Sequence, residues 1–328
     1  MKKIIVVVII LAMITVFLIG CEKNKNENLI RLNEVTHSVF YAPLYVAINE
    51  GFFAEEGLEI ELINGGGADK SMTAVMSNQA DIGLMGPEAA VYVNLQGSKN
   101  YPVIFGRLTK RDGSFLVGRH PQPDFEWSDL TGFEIIGGRK GGMPAMNLEY
   151  ALAKNNLLDS VTINYDIQFD LITAAFEGGT GDYCTMFEPA ASQYQQAGKG
   201  YIVASVGAEA GEIPYTCFMA TKNYIKNNKD KVTRFMRAII KGIDFVMQKD
   251  NATVATSLAP SFPTTSLELL KSSVASYISI DAYMSDPILD QESFEHMLDI
   301  LESCGIIEER VDFNEMVDNS IAQSLLND

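Results

Sequence analysis

Two hydrophobic periods share this chain, one of two residues and one near 3.6, and their order predicts the architecture. Leu29, Ile30, Leu32 and Val35 predict a strand ending near Thr36, and a helix is expected over Ala42–Asn49. Pro43 suits the first turn of that helix and Gly51 its end. Residues 59–63 alternate as a second strand, Gly65-Gly66-Gly67 interrupts the chain, and a helix is predicted over 69–77. Ile82-Gly83-Leu84-Met85 is a third apolar run, ended by Gly86-Pro87. The order then returns: a strand at 133–136, a helix at 144–154, a strand at 161–165, a helix at 171–177 and an apolar run at 183–186. Strands alternating with helices at this spacing predict α/β units with largely parallel sheets. From Lys229 the pattern is helical, with Val232, Phe235, Ala238, Ile239, Gly242, Phe245 and Val246 on one face. Residues 266–280 and 291–303 read likewise, with a loop around Pro260 and Pro263. This tail is expected to brace the first α/β unit.

An echo links the two units. Asp81 opens an apolar run followed by Pro87-Glu88, and Asp182 opens another followed by Glu188-Pro189, the same pair in opposite order. Two similar lobes, each ending a strand at a common cleft, account for both.

Composition narrows the class. Apolar residues make up 47% and charged residues 20% of 328, so the chain can bury the core of one large or two ordinary domains. A formal charge of −17 without any later Lys/Arg run excludes a nucleic-acid binder. Lys2 and Lys3 precede an apolar run from Ile4 to Ile19, and the sequence Leu18-Ile19-Gly20-Cys21 follows. This reads as an export signal, the other reading being an uncleaved membrane anchor. The tetrad resembles the lipobox of bacterial lipoproteins, which implies a lipid on Cys21 and a body held at the membrane outside the cytoplasm. Loss of residues 1–20 takes the charge from −17 to −19. Residues 21–28 are then a polar tether. Cys184, Cys217 and Cys304 show no CxxC spacing and are expected as free thiols, with one bridge the alternative. His37, His120 and His296 form no HxxxH or HExxH pattern, so no metal site and no cofactor are expected.

Tyr41-Ala42-Pro43-Leu44-Tyr45-Val46-Ala47, with Glu50-Gly51-Phe52-Phe53-Ala54-Glu55-Glu56-Gly57-Leu58-Glu59-Ile60 after it, carries a family resemblance. The chain resembles the nitrate/sulfonate/taurine and thiamine-pyrimidine-precursor branch of ABC-transporter solute-binding proteins. Gln79-Ala80-Asp81-Ile82-Gly83, Leu130-Thr131-Gly132 and Phe187-Glu188-Pro189 extend the match over about residues 29–250. The resemblance implies a type II periplasmic-binding-protein-like fold: two α/β lobes with a hinge and a ligand cleft, plus a helical C-terminal tail. Crossovers are expected near 116–119 and 214–219, giving a first lobe of 29–118 plus 214–328 and a second of 119–213. The implied partners are a small-molecule solute, an ABC permease and its ATPase, and the membrane through the lipid anchor; a monomer is expected.

In such folds ligands meet strand ends and helix N-termini. His37, Phe40 and Tyr41 follow the first strand where the resemblance implies solute contacts, Phe40 being equally suited to core packing. Gly66 belongs to a loop that permits close backbone approach, or is a simple turn. Glu88 follows Gly86-Pro87 and is expected to face the cleft, the helix dipole being another reason for an acid there. Asp112, beside Arg111, sits at the cleft edge or in a surface ion pair. Lys140, Gly141 and Gly142 belong to a loop whose N–H groups can hold an anion, and its spacing matches no nucleotide motif. Glu188 mirrors Glu88, and Tyr215 lies at the return crossover. Acids with aromatic rings suit a flat nitrogen-rich or cationic solute, such as a thiamine-pyrimidine precursor or a guanidino or amine compound. The Arg139-Lys140 loop favours the alternative, a sulfonate- or nitrate-type anion. An enzyme resembling the fungal pyrimidine-synthesis enzymes is a third reading. The chain lacks their cysteine cluster and shows no catalytic arrangement, so a binding protein is expected.

Overall fold

The computed structural model describes residues 27–327; the export signal and Cys21 lie outside the described residues. The chain starts in one sheet with β1 (Leu29–Glu34), β2 (Glu59–Asn64), β3 (Ile82–Met85) and β4 (Pro102–Thr109). It crosses to a second sheet for β5 (Phe115–Gly118), β6 (Glu134–Ile136), β7 (Thr162–Asn164), β8 (Tyr183–Met186) and β9 (Tyr201–Ser205), then returns as β10 (Thr216–Thr221). The strand orders are β2-β1-β3-β10-β4 and β7-β6-β8-β5-β9. In each sheet the first three strands are parallel, and the fourth place is taken by an antiparallel strand that has just arrived from the other lobe. The two lobes therefore share one plan, as the sequence echo suggested.

That plan moves the expected crossovers. Residues 116–118 are not a linker but part of β5, paired on both sides with β8 and β9. A short apolar run buried at every position marks an interior strand. The chain leaves the first sheet over 110–114, and it returns after the helix Val206–Ala210, because β10 already starts at Thr216. The lobe boundary expected at 118 shifts accordingly to the segment before Phe115.

The tail packs more widely than a brace on one lobe. Helix Lys229–Gln248 buries Val232, Phe235, Ala238 and Ile239 against the first lobe. It crosses helix Ala42–Asn49 so closely that a Cβ on Gly242 would lie 2.2 Å from the Pro43 carbonyl oxygen. Helix Leu267–Ser279 reaches the second lobe, where Tyr277 Oη accepts the Glu188 N–H at 2.8 Å. Helix Gln291–Ser303 sends His296 toward Tyr150 of the second lobe, Nε2 to Oη at 3.4 Å. One apolar core runs through both sheets, and a smaller cluster around Leu116, Leu130, Ile135 and Leu148 covers the outer face of the second.

Arg107 on β4 joins the crossovers. Its side chain is fully buried and donates to the carbonyls of Thr109, Lys110 and Ile213. It also donates to Ser293 and pairs with Glu212 at 3.2 Å and Asp290 at 3.0 Å. One guanidinium thus ties the outgoing strand, the return segment and the tail. Its planar fork of five donors makes this possible, and an ammonium cannot reproduce it. Burial pulls the Arg107 pKa down, against the charges of Glu212 and Asp290. Arg107→Met should lower unfolding free energy by roughly 2–3 kcal/mol, since buried carbonyls lose a charged donor. Arg107→Lys should recover only part of that, measured by urea unfolding at one pH.

Candidate functional site

Strand ends and helix starts from both lobes meet around a cavity of about 60 Å³. The first lobe supplies Thr36 after β1, Gly66 and Gly67 after β2, and Gly86 and Glu88 after β3. The second supplies Gly138, Arg139 and Gly142 after β6, Phe169 after β7 and Phe187 after β8. Tyr215 and Thr216, entering β10, complete the wall with Tyr41. Three helices begin here, Ala68–Met76, Glu88–Leu95 and Met143–Lys154, and no side chain caps any of them. The N–H groups of these helix starts bring partial positive charge to one place. Gly66 and Gly67 have φ of 68° and 153°, a backbone path that favours glycine and brings the chain against the cavity.

Glu88 is the buried carboxyl of this cavity, 2% exposed, and its Oε2 has no hydrogen-bond partner. Burial pushes its pKa up to about 7. Backbone N–H groups of Glu88, Met143 and Ala89 and the Arg139 charge oppose that rise. Met143 and Arg139 belong to the second lobe, so this carboxyl already interacts across the cleft. Aromatic rings surround it: Phe187 stands T-shaped to Phe169 at 5.7 Å and tilted to Tyr215 at 6.4 Å.

Of the residues expected at the cleft, Tyr41, Gly66, Glu88, Gly142 and Tyr215 line this cavity. The others sit elsewhere. Phe40 is fully buried under the wall, packed on Tyr277 at 5.0 Å and Tyr215 at 5.6 Å. His37 bridges the Glu34 carboxylate (2.9 Å) and the Ser261 carbonyl (2.8 Å) and packs against Phe262. Its pKa is raised, first by the Glu34 bond. Lys140 points its Nζ over the Tyr165 ring at 5.7 Å, and Gly141 accepts the Tyr92 hydroxyl at 2.9 Å. Asp112 is fully buried in the outgoing crossover, where Oδ1 accepts the Ser114 N–H at 2.6 Å. Burial lifts it to about 7, with Ser114 and Tyr215 drawing it back.

Glu188 corrects the mirror-image expectation. Its carboxylate accepts from Ser192 N–H at 3.0 Å and Ser192 Oγ–H at 2.6 Å, outside this cavity. The reversed order explains the difference: Glu88 follows its proline, whereas Glu188 precedes its own and the place facing the cavity goes to Phe187. Arg139 is marked by the sequence only as part of the loop with Lys140, and Phe169 is not marked at all. Arg139 neighbours Lys140 in a glycine-flanked loop with no period to show which side chain turns inward. Phe169 stands after β7 where Gly66 stands after β2, a signal visible once the lobes are aligned.

Residues 39–252 match the family described as NMT1/THI5 like. The chain belongs to that family. A Bacillus subtilis (strain 168) protein named "Putative binding protein YtlA" is 38% identical over 310 residues, covering 94% of this chain and 93% of its own. An Aspergillus parasiticus protein named 4-amino-5-hydroxymethyl-2-methylpyrimidine phosphate synthase is 24% identical over 233 residues, 65% of each chain. Among solved structures, the alkanesulfonate-binding protein SsuA from Xanthomonas axonopodis pv. citri, bound to MOPS, superposes with a TM-score of 0.73. It is 16% identical and covers 89% of this chain and 98% of its own. This NMT1/THI5-like chain therefore has the fold of ABC-importer solute-binding proteins, two α/β lobes around a cleft. Among the described residues no helix is long and apolar enough to cross a membrane.

The raised Glu88 pKa has a sign. A carboxyl held above its ordinary value of 4.5 favours the folded state while protonated, below that value. The benefit disappears as pH rises through about 7. Glu88→Gln removes the titration, so its stability relative to wild type should rise between pH 5 and pH 8, by at most ~3 kcal/mol. Urea unfolding of both proteins at pH 5, 6.5 and 8 measures this.

Proposed function

We propose that this protein is the extracytoplasmic solute receptor of an ABC importer and that its lobes clamp a small, planar, nitrogen-rich or cationic solute. The solute is passed to a membrane permease driven by its ATPase, with the receptor held at the membrane as a monomer through lipid on Cys21. The observation that carries this reading is Glu88, a buried carboxyl with one unpartnered oxygen among Tyr41, Phe187 and Tyr215. A carboxyl poised near pH 7 can share a proton with an amino-substituted ring nitrogen, and the rings offer faces for stacking. A thiamine-pyrimidine precursor has this chemistry, as does a small guanidino or amine compound.

Arg139 and the uncapped starts of Ala68–Met76 and Met143–Lys154 support a second reading, an anion of the sulfonate type. Glu88 weighs against it, because its carboxyl already occupies the field of Arg139 and the Met143 N–H. For an enzyme on this fold, His37 is a poor reactive group. Both its ring nitrogens are engaged, by Glu34 and by Ser261.

Calorimetric titration with pyrimidines, amines, guanidines and sulfonates tests the choice. A hydrogen bond to a charged group contributes about 1.5–3 kcal/mol, so Glu88→Gln should weaken a nitrogenous solute about tenfold or more. Glu188→Gln should leave that affinity within about twofold, since Ser192 holds its carboxylate. Tightest binding of a sulfonate, lost in Arg139→Gln and kept in Glu88→Gln, establishes the anion reading instead.

A further inference from the structure

Two hydroxyls of the first lobe reach across the cleft to backbone carbonyls of the second. Tyr92 Oη donates to the Gly141 carbonyl at 2.9 Å, and Ser38 Oγ donates to the Glu188 carbonyl at 2.7 Å. Neither hydroxyl residue lines the solute cavity, yet each holds a loop that does. Gly141 stands between Arg139 and Gly142, and Glu188 follows Phe187; those three neighbours are wall residues. The loop around Gly141 has little rigidity of its own, because Gly138 and Gly141 both take positive φ, 82° and 75°. Tyr92 steadies it from helix Glu88–Leu95, four residues after Glu88. The helix that brings the carboxyl to the cavity thus also holds the loop facing it. Ser38 is buried, and its Oγ accepts the Phe40 N–H at 3.2 Å, which leaves its one proton for Glu188.

In both bonds the donor rides on one lobe and the acceptor on the other, so both form only when the lobes are together. A contact made in one state and not in the other shifts the balance by its own free energy. A solute enclosed between the lobes leaves only after these bonds break. We propose that Tyr92 and Ser38 are positioning residues that hold Arg139, Gly142 and Phe187 against the solute, and so set how long a solute is retained without deciding which solute it is. This rests on the receptor reading for the presence of a solute in the cavity, and not on the nitrogenous form of that solute. Glu88 chooses; the two hydroxyls hold.

Tyr92→Phe removes the hydroxyl and keeps the ring. Stopped-flow chase of 4-aminopyrimidine, or of methanesulfonate where that is the ligand bound, should show release about two- to tenfold faster, the value of one neutral hydrogen bond. Ser38→Ala should speed release as well, and the double variant by about the product of the two factors, because the bonds hold different loops. The order of affinities among the amines, pyrimidines and sulfonates that bind should stay that of wild type. A changed order overturns the proposal, and so does a lower unfolding midpoint in Tyr92→Phe with release unchanged, which indicates packing alone. Should wild type bind neither probe, that result counts against the receptor reading, and hydrogen exchange without ligand decides this proposal separately. Backbone amides of residues 139–146 should then exchange faster in Tyr92→Phe, while those of helix Lys229–Gln248 keep the wild-type rate. Equal exchange in the loop, or faster exchange in both segments, overturns it.

Discussion

A single buried guanidinium keeps two lobes and a tail in one geometry. Arg107 has no exposed surface, and its donors go to the outgoing strand, the return segment and the start of helix Gln291–Ser303. Backbone carbonyls of crossing segments cannot all find sheet partners, since these segments leave one sheet before joining the next. Arg107 supplies the missing donors from one point. The return crossover enters the cavity wall from that point, because Tyr215 lies two residues beyond Ile213, whose carbonyl Arg107 holds.

The cavity balances opposite tendencies. Three helix starts and Arg139 make it attractive to negative charge, while Glu88 places a carboxyl within that field. The positive features keep Glu88 from rising further, and burial keeps it from remaining a permanent anion. The result is a group that changes its charge near neutrality inside an aromatic enclosure. SsuA has the same fold, and a shared fold alone does not imply which solute a member binds.

How far the sequence revealed this depended on local signals. β1, β2 and β3 and the helix Gln291–Ser303 were readable because their apolar spacing and end residues agreed. β4 was not, although all eight of its residues are buried, because a strand covered on both faces has no alternation and this one contains Gly106 and Arg107. Tyr41, Gly66, Glu88, Gly142 and Tyr215 were legible as cavity residues because strand ends and glycine turns mark the cleft. Neighbouring residues were harder to separate. Phe40 and Tyr41 share one helical turn, and only tertiary packing sends the first inward and the second to the wall. Asp112 reads as a cleft-edge acid, whereas its full burial depends on close packing of its backbone against Gly207, in the helix before the return crossover and far along the chain.

The position of β10 between β3 and β4 also orders events in time. β5 to β9 are consecutive in the chain, so the second sheet has all its strands once Ser205 has been made. The first sheet begins earlier and finishes later, since β3 and β4 have no direct pairing until Thr216–Thr221 arrives between them. A chain emerging N-terminus first thus carries two open strand edges from the first lobe while the second lobe becomes complete. Open edges are templates for pairing with the wrong partner. The lobe encoded first is the one left vulnerable longest.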